Sequence, residues 1–476
     1  MVATVTRRPG LLASAALTLL LAAIAPAQAA GMNCSQARSA SEKAICADAD
    51  LVRLDADLAA AYAALGRAKP DTRDALRQSQ RDWLARRNAC AADAACLRWQ
   101  YELRLDALQG QLRRAQAYRP DGTDLQALED FRRAVEAAAS QDAAFPLETA
   151  LKALSASGGT TSFSNVRDKE DDIEAHFPTA RPTGVSEDEW RALLASDVDS
   201  GGENGVASYT LIDLDGDGLR DLAIDSYVGG TGLFSEISTL RRIGARFGAP
   251  SGQSAEANRA DAPSGATLYS LNDRGANQAG EWIRLRGRVY AAYRSSRYGM
   301  DSVYLLHPLA EVGDAPTLTV RYRYDLSVPR QQKNETTGAV RALDEALHAA
   351  LTRALAQIDP ERVATPGEPA KPLCPMPANT KEDERSQYYS FGPGHYAYET
   401  VADVAVQLRS GCAIARLADW FGGYSAKDGL YAQLWVRGTA DDARTDTYNV
   451  HGVRRAVRYG TAVGPVATGD DAQGAQ

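Results

Sequence analysis

Residues Asp213–Asp225 read DLDGDGLRDLAID. Asp213, Asp215, Asp217 and Asp221 fall at positions 1, 3, 5 and 9 of this stretch, with the carbonyl of Leu219 at position 7. That spacing lets a short loop wrap several hard oxygens around a calcium ion. Four carboxylates so close together repel one another strongly unless a cation neutralises them. What flanks the loop decides the fold. An EF-hand would place a bidentate glutamate at position 12, where Ile224 stands, and would have a helix on each side. Here ASYTLID precedes the loop and RDLAIDSYV follows it, both alternating and rich in β-branched or aromatic residues, so the loop joins two strands. A metal-free acidic turn and a catalytic carboxylate group are the competing readings. Catalysis would need one carboxylate desolvated beside a base or nucleophile, whereas the flanking glycines predict an open turn.

Strand patterns continue downstream in SEISTLRRI, ATLYSL, EWIRLRGRVYAAYR, SVYLLH and TLTVRYRYDL, with short turns between them. They predict a mainly antiparallel β-rich domain over about residues 201–360, closed by a helix from about Gly338 to Ile358. The Pro-rich stretch ERVATPGEPAKP marks a boundary. Beyond it, ETVADVAVQLR, CAIARLA and LYAQLWVRG predict a small β-rich C-terminal domain at 371–465, and 466–476 reads as a disordered tail. Upstream, DLQALEDFRRAVEAAA and FPLETALKAL are helical, SGGTTSFSNVRDKEDD reads as a linker or surface loop, and Ser186 to Ala195 is a capped helix. Residues 118–200 are therefore expected to be a helical extension and linker.

Three helices are expected nearer the N-terminus. Ser39-Ala40-Ser41-Glu42 has the form of a capping box, and Leu51, Leu54, Leu58 and Leu65 follow at helical spacing until Gly66 and Pro70 stop the helix. Asp71 can cap a second helix that runs through Leu76 and Trp83 to about Ala89. A third carries Leu97, Tyr101, Leu105, Leu108 and Leu112. In an antiparallel hairpin centred between the first two helices, Cys46 and Cys90 lie side by side, which predicts one bridge between them and a second, outer bridge between Cys34 and Cys96. Cys374 and Cys412 pair by elimination. The fold class is thus α+β: a disulfide-stapled antiparallel helical hairpin or bundle, at about 30–117, followed by antiparallel β domains.

The compartment follows from the first thirty residues. Arg7 and Arg8 precede the apolar run LLASAALTLLLAAI, and Ala27-Gln28-Ala29 supplies small residues for a peptidase, so 1–29 reads as a cleavable signal peptide. The run is too short to span a bilayer. Six cysteines, an even number without any Cys-x-x-Cys pair, suit disulfides in an exported protein, periplasmic or secreted, and not a zinc site. The chain carries a net charge of -8, and removing Arg7 and Arg8 leaves -10. Such a balance disfavours nucleic acid and anionic membranes and favours a cationic protein partner.

Two resemblances sharpen these expectations. Cys34, Ala37, Glu42, Ile45-Cys46, Leu54-Asp55, Leu58 and Tyr62, then Gln80, Trp83-Leu84, Arg87, Cys90 and Cys96-Leu97, resemble the N-terminal domain of the LprI lysozyme-inhibitor family over about residues 31–115. The resemblance implies an exported helical module, some of whose relatives inhibit lysozyme. Trp83 and Tyr62 are expected in its core, and Gln80 and Arg87 are expected to brace loop carbonyls near the disulfides. The loop at 213–221 is similar to the calcium loop of FG-GAP and VCBS repeats, which implies structural calcium held by Asp213, Asp215, Asp217, Leu219 and Asp221.

Other chemistry is sparse. His176, His307, His348, His395 and His451 are dispersed without metal-ligand spacing, and Gly229-Gly230-Thr231-Gly232 leads into a strand pattern, as a hairpin turn would. No nucleophile elbow is present. The leading expectation is a non-enzymatic envelope protein that binds and inhibits lysozyme or another cationic envelope partner. The alternatives are an enzyme acting on envelope polymers through the β region, and a structural or adhesion protein hardened by calcium and disulfides.

Overall fold

The computed structural model describes residues 31–466, apart from 197, 199–201, 231–232, 249–265, 273–276, 335–336, 359–369, 393–397, 428 and 440–443. The signal-peptide segment, most of the Pro-rich boundary and the tail beyond 466 lie outside the described residues. The chain divides into two compact units, one ending at Ala115 and the other beginning at Gln116.

The first unit contains helices α1 (Ala40–Ala47), α2 (Ala49–Ala68), α3 (Arg73–Ala89) and α4 (Ala94–Gln116). Ser39 and Glu42 close a reciprocal capping box at the start of α1. Where one long helix is expected, the chain breaks at Asp48. This residue is extended (φ -120°, ψ 116°), and its carboxylate accepts the amides of Asp50 and Leu51, so it ends α1 and starts α2. The predicted bridges are corrected as well. Cys34, in the short turn that precedes α1, bonds Cys46 near the end of α1, with Cα atoms 5.5 Å apart. Cys90 bonds Cys96 across the tight turn between α3 and α4, at 5.6 Å. Both bridges are local staples, and neither Cys46–Cys90 nor Cys34–Cys96 forms. Ile45, Leu51, Leu58, Leu65, Leu76, Trp83, Leu97, Tyr101 and Leu108 make the core of this unit.

The second unit starts with α5 (Gly122–Ala139) and α6 (Pro146–Leu154). Its smaller sheet has six strands: β1 (Thr161–Ser164), β2 (Ala207–Ile212), β3 (Asp221–Gly229), β4 (Phe234–Ile243), β5 (Arg246–Gly248) and β6 (Ala266–Asn272). The order is β1-β2-β3-β4-β5, with β6 also on β4, and α7 (Glu187–Ala195) packs Trp190 and Leu193 onto it. The larger sheet takes β7 (Gln278–Leu285), β8 (Arg288–Arg297), β9 (Met300–Leu306) and β10 (Asp314–Ser327). After a small hairpin of β11 (Gln331–Lys333) and β12 (Val340–Ala342), and α8 (Glu345–Leu355), it is continued by β13 (Glu399–Leu408), β14 (Gly411–Ser425), β15 (Gly429–Gly438) and β16 (Thr445–Pro465). Its order is β13-β14-β15-β16-β10-β9-β8-β7, antiparallel throughout.

Two expectations change here. Part of the presumed linker, TSFS, is the edge strand β1, paired with β2 from Thr161↔Leu211 to Ser164↔Ser208. The segment 371–465 is not a sheet of its own, because β16 pairs with β10 from Ser327↔His451 to Asp314↔Pro465 and fuses both halves into one sheet. Cys374–Cys412 forms as expected. One face of the large sheet buries Val303, Leu318, Val320, Ala415, Leu417 and Leu434 against Phe131, Leu147 and Leu351 of the helices, and this is the main core. The sheet also bends toward closure: the Tyr298 amide after β8 donates to Glu399 Oε2 at the start of β13 (2.7 Å).

Candidate functional site

In the helical unit, Gln80, Trp83 and Arg87 share one face of α3, since spacings of three and four place side chains in a row. The Trp83 ring is 2% exposed, meets Tyr101 edge to face at 5.2 Å, and its Nε1 donates to the Gln100 carbonyl at 3.0 Å. The buried Arg87 donates from Nη1 to the Tyr101 hydroxyl (3.2 Å) and from Nε and Nη2 to Asn88 Oδ1. Tyr101 in turn donates to Asp55 Oδ1 at 2.7 Å, and Arg87 Nη1 lies 4.0 Å from the same oxygen. Burial pushes the Tyr101 phenol well above its usual range, so it stays a donor. Gln80 Oε1 accepts from Nε and Nη2 of the buried Arg104. Gln80 and Arg87 thus hold side chains of neighbouring helices and not the loop carbonyls expected of them. Glu42 accepts the Ser39 and Arg38 amides, which hold its carboxyl below the usual range, and Tyr62 packs partly buried against the core. These five residues build the scaffold. Asp55 stands only in the family resemblance and Tyr101 only among the helically spaced residues of α4, and Arg104 is in neither, because a buried polar network between helices leaves no periodic signal.

In the second unit, the acidic stretch is the β2–β3 hairpin connection. Gly216 (φ 80°) and Gly218 (φ 86°) adopt left-handed conformations that glycine takes without steric cost. Asp213, Asp215 and Asp221 each place a carboxylate oxygen within 4.8 Å of the others. Asp217 is not in this group, and its Oδ1 accepts the Leu219 amide at 2.7 Å. The structure therefore gathers three of the four predicted carboxylates. Asp221 is 1% exposed and accepts the amides of Leu214 (3.0 Å) and Arg242 (2.7 Å). Burial pushes its carboxyl up to about 6 despite those bonds, and the nearby Asp215 and Asp217 add to the rise. Such a group of hard oxygen donors could hold a divalent cation. Two arginines that the sequence did not flag steady the hairpin. Arg241 Nε sits 3.3 Å from Asp215 Oδ2, and Arg220 makes a two-pronged pair with Glu189 of α7 (2.7 and 2.6 Å) while also donating to Thr161 Oγ1 and to the Gly159 and Gly184 carbonyls. At the loop base, Leu214 packs with Val289 and Leu309, so the hairpin is seated on the larger sheet.

The titratable groups of the larger sheet are tied into its packing. Asp124 accepts from the Tyr118 and Tyr290 hydroxyls, Arg288 and the Asp121 amide, which pins the start of α5 to β8. Arg454 is buried over the rings of Phe145, Tyr322 and Tyr424 and donates to Glu148 at 3.0 Å. Among the histidines, His176 bonds Asp168 and the Phe177 carbonyl, His307 stacks on Tyr118 at 4.4 Å, and His348 bonds the Val328 carbonyl. His451 lies exposed on β16, and His395 lies outside the described residues.

Comparison with known proteins bears on the helical unit. No curated protein and no solved structure matches the chain. Residues 34–119 match the family described as lysozyme inhibitor LprI, so the helical module, a minority of the chain, is similar to that family.

Proposed function

We propose that this protein is exported to the cell envelope and that its N-terminal module binds and inhibits lysozyme or another cationic envelope protein. The observation that carries the proposal is the match of residues 34–119 to the lysozyme inhibitor family. In this reading the protein acts by binding and not by catalysis. Export is supported by the signal-peptide pattern and by three disulfides; among the described residues no helix is long and apolar enough to cross a membrane.

Charge divides unevenly between the units, which refines how a cationic partner would be met. Residues 31–115 hold fourteen Lys and Arg against eleven Asp and Glu, a net charge of +3, so with +2 in the first thirty residues the remaining 361 carry -13. Long-range attraction of a basic protein thus belongs to the β-rich unit, and close recognition to the helical module. The test is lysis of a peptidoglycan suspension by a c-type lysozyme. The mature protein is expected to slow lysis at about 0.15 M salt, where surface charges are screened beyond about 8 Å. An unrelated acidic protein of similar charge that inhibits equally well would refute the proposal.

We further propose that Asp213, Asp215 and Asp221 hold a structural calcium ion. The convergence of three carboxylates, one of them buried, supports this reading; Asp217 and the Leu219 carbonyl belong to the same loop as further oxygen sources. Calcium at millimolar level should raise the melting temperature, because a ligand bound only by the folded state stabilises it, and Asp213→Ala with Asp215→Ala should abolish the increment. No shift in the wild type would leave an acidic turn held by Arg241 and its own amides.

A further inference from the structure

The four buried residues of α4, Leu97, Tyr101, Arg104 and Leu108, define its inward face. At 3.6 residues per turn the opposite face carries Trp99, Glu102, Leu103 and Asp106. Trp99 is 58% exposed and Leu103 50%. They stand four apart, so their side chains lie together as one apolar ridge. All six tryptophans of the chain are described, and Trp99 is the exposed one. A tryptophan left in water gives up a large burial gain, and this residue type most often anchors protein interfaces. Beside the ridge, Glu102 and Asp106 are exposed, and neither carboxylate has a hydrogen bond or ion pair among the described residues. Elsewhere on the module, Asp48, Asp50, Asp55 and Asp74 are each paired with an arginine.

We infer that the outer face of α4 is the docking surface of the helical module, and that it takes a basic protein whose apolar recess is bordered by lysine or arginine. Trp99 and Leu103 would fill the recess as a helix laid in a groove, while Glu102 and Asp106 meet the cationic rim. The charge argument is local. A module of net charge +3 has no overall pull on a basic partner, so two unpaired acids beside the only exposed tryptophan are what give this face its complementarity.

The inference rests on the reading that the module binds a cationic envelope protein, and a c-type lysozyme serves as the probe. Binding of the full mature protein is measured at about 0.15 M salt for the wild type, Trp99→Ala with Leu103→Ser, Glu102→Lys with Asp106→Lys, and Val52→Ala as an exposed apolar control. The first variant should weaken binding by about tenfold or more, as loss of an interface anchor does. The charge reversal, which leaves every apolar contact of the module in place, should weaken it by about tenfold and mainly slow association. The control should bind as the wild type does, and all melting temperatures should agree because none of these side chains is in the core. If the wild type binds and both α4 variants bind equally well, the docking surface is elsewhere while the inhibitor reading stands. If the wild type does not bind, both fail. A wild-type dimer that Trp99→Ala dissociates would assign the face to a second copy of the chain and overturn the inference.

Discussion

The carboxylate of Asp55 is the junction on which three helices of the N-terminal module agree. It accepts the Tyr101 hydroxyl of α4, lies at the outer limit of an ion pair with Arg87 of α3, and accepts the Met32 amide at 2.5 Å. Desolvating these groups is costly, and the cost is offset because each donor finds an acceptor. Arg87 is the one whose loss harms most, since its guanidinium also orders Asn88 and lies over the Trp83 ring at 5.5 Å. Arg87→Ala is expected to lower stability by about 3–5 kcal/mol, the range for removing one partner of a buried pair. Denaturant unfolding of the mature protein would show this as a lower midpoint. A loss under about 1 kcal/mol would mean that water reaches Asp55 and Tyr101 and replaces the arginine.

Among the elements, the β2–β3 hairpin shows how a local signal and a distant partner combine. Its turn is specified by glycines and aspartates within the loop, yet its position depends on Arg220 reaching Glu189, thirty-one residues earlier in the chain. Glu189 also closes the capping box of α7 with Ser186. Burial would raise its carboxyl, but the Arg220 pair and the Ser186 amide outweigh that and hold it down at about 2. An acid lowered in the folded state stabilises the fold when ionised, so the contribution is present above the unfolded value of about 4.3 and disappears as pH falls toward about 2. A shift of this size corresponds to about 3 kcal/mol. Glu189→Gln should therefore lower the melting temperature at pH 7 and flatten its decline between about pH 4.5 and 2, relative to the wild type in the same buffers. Parallel curves for the two proteins would show that the pair contributes nothing to folding.

For the whole molecule, the partition of charge matters more than its sum. A basic module of +3 and a remainder of -13 act at different ranges, since steering by the remainder decays within a Debye length and contact by the module does not. Association of the mature protein with a c-type lysozyme should slow by about tenfold between 0.02 and 0.15 M salt, with a much smaller change in dissociation. Residues 31–115 alone have their own core and two disulfides, and they should associate slowly with little or opposite salt dependence. Equal salt slopes for the two, measured by surface-immobilised kinetics, would place the electrostatic footprint within the module.

Several features of this protein were legible in the sequence because their physics is local. The capping boxes at Ser39–Glu42 and Ser186–Glu189 need only residues three apart, the strands around 213–221 show in alternation alone, and the hairpin turn follows from its glycines. The Cys374–Cys412 bridge was left by elimination. The tertiary structure decided what depends on chain reversal. Asp48 broke a helix that leucine spacing made continuous, and the chain reversals before α1 and between α3 and α4 gave four cysteines local partners instead of partners across the hairpin. The alternation of β16 is inverted by a buried arginine and exposed valines, Arg454 inward and Val453 and Val457 outward, because three aromatic rings from distant elements can shelter a guanidinium. Spacing at every second residue put Asp217 among the carboxylates, whereas the actual turn directed it to the Leu219 amide of the same loop and brought only Asp213, Asp215 and Asp221 together. Periodicity records which face of an element is buried, but not which other element buries it.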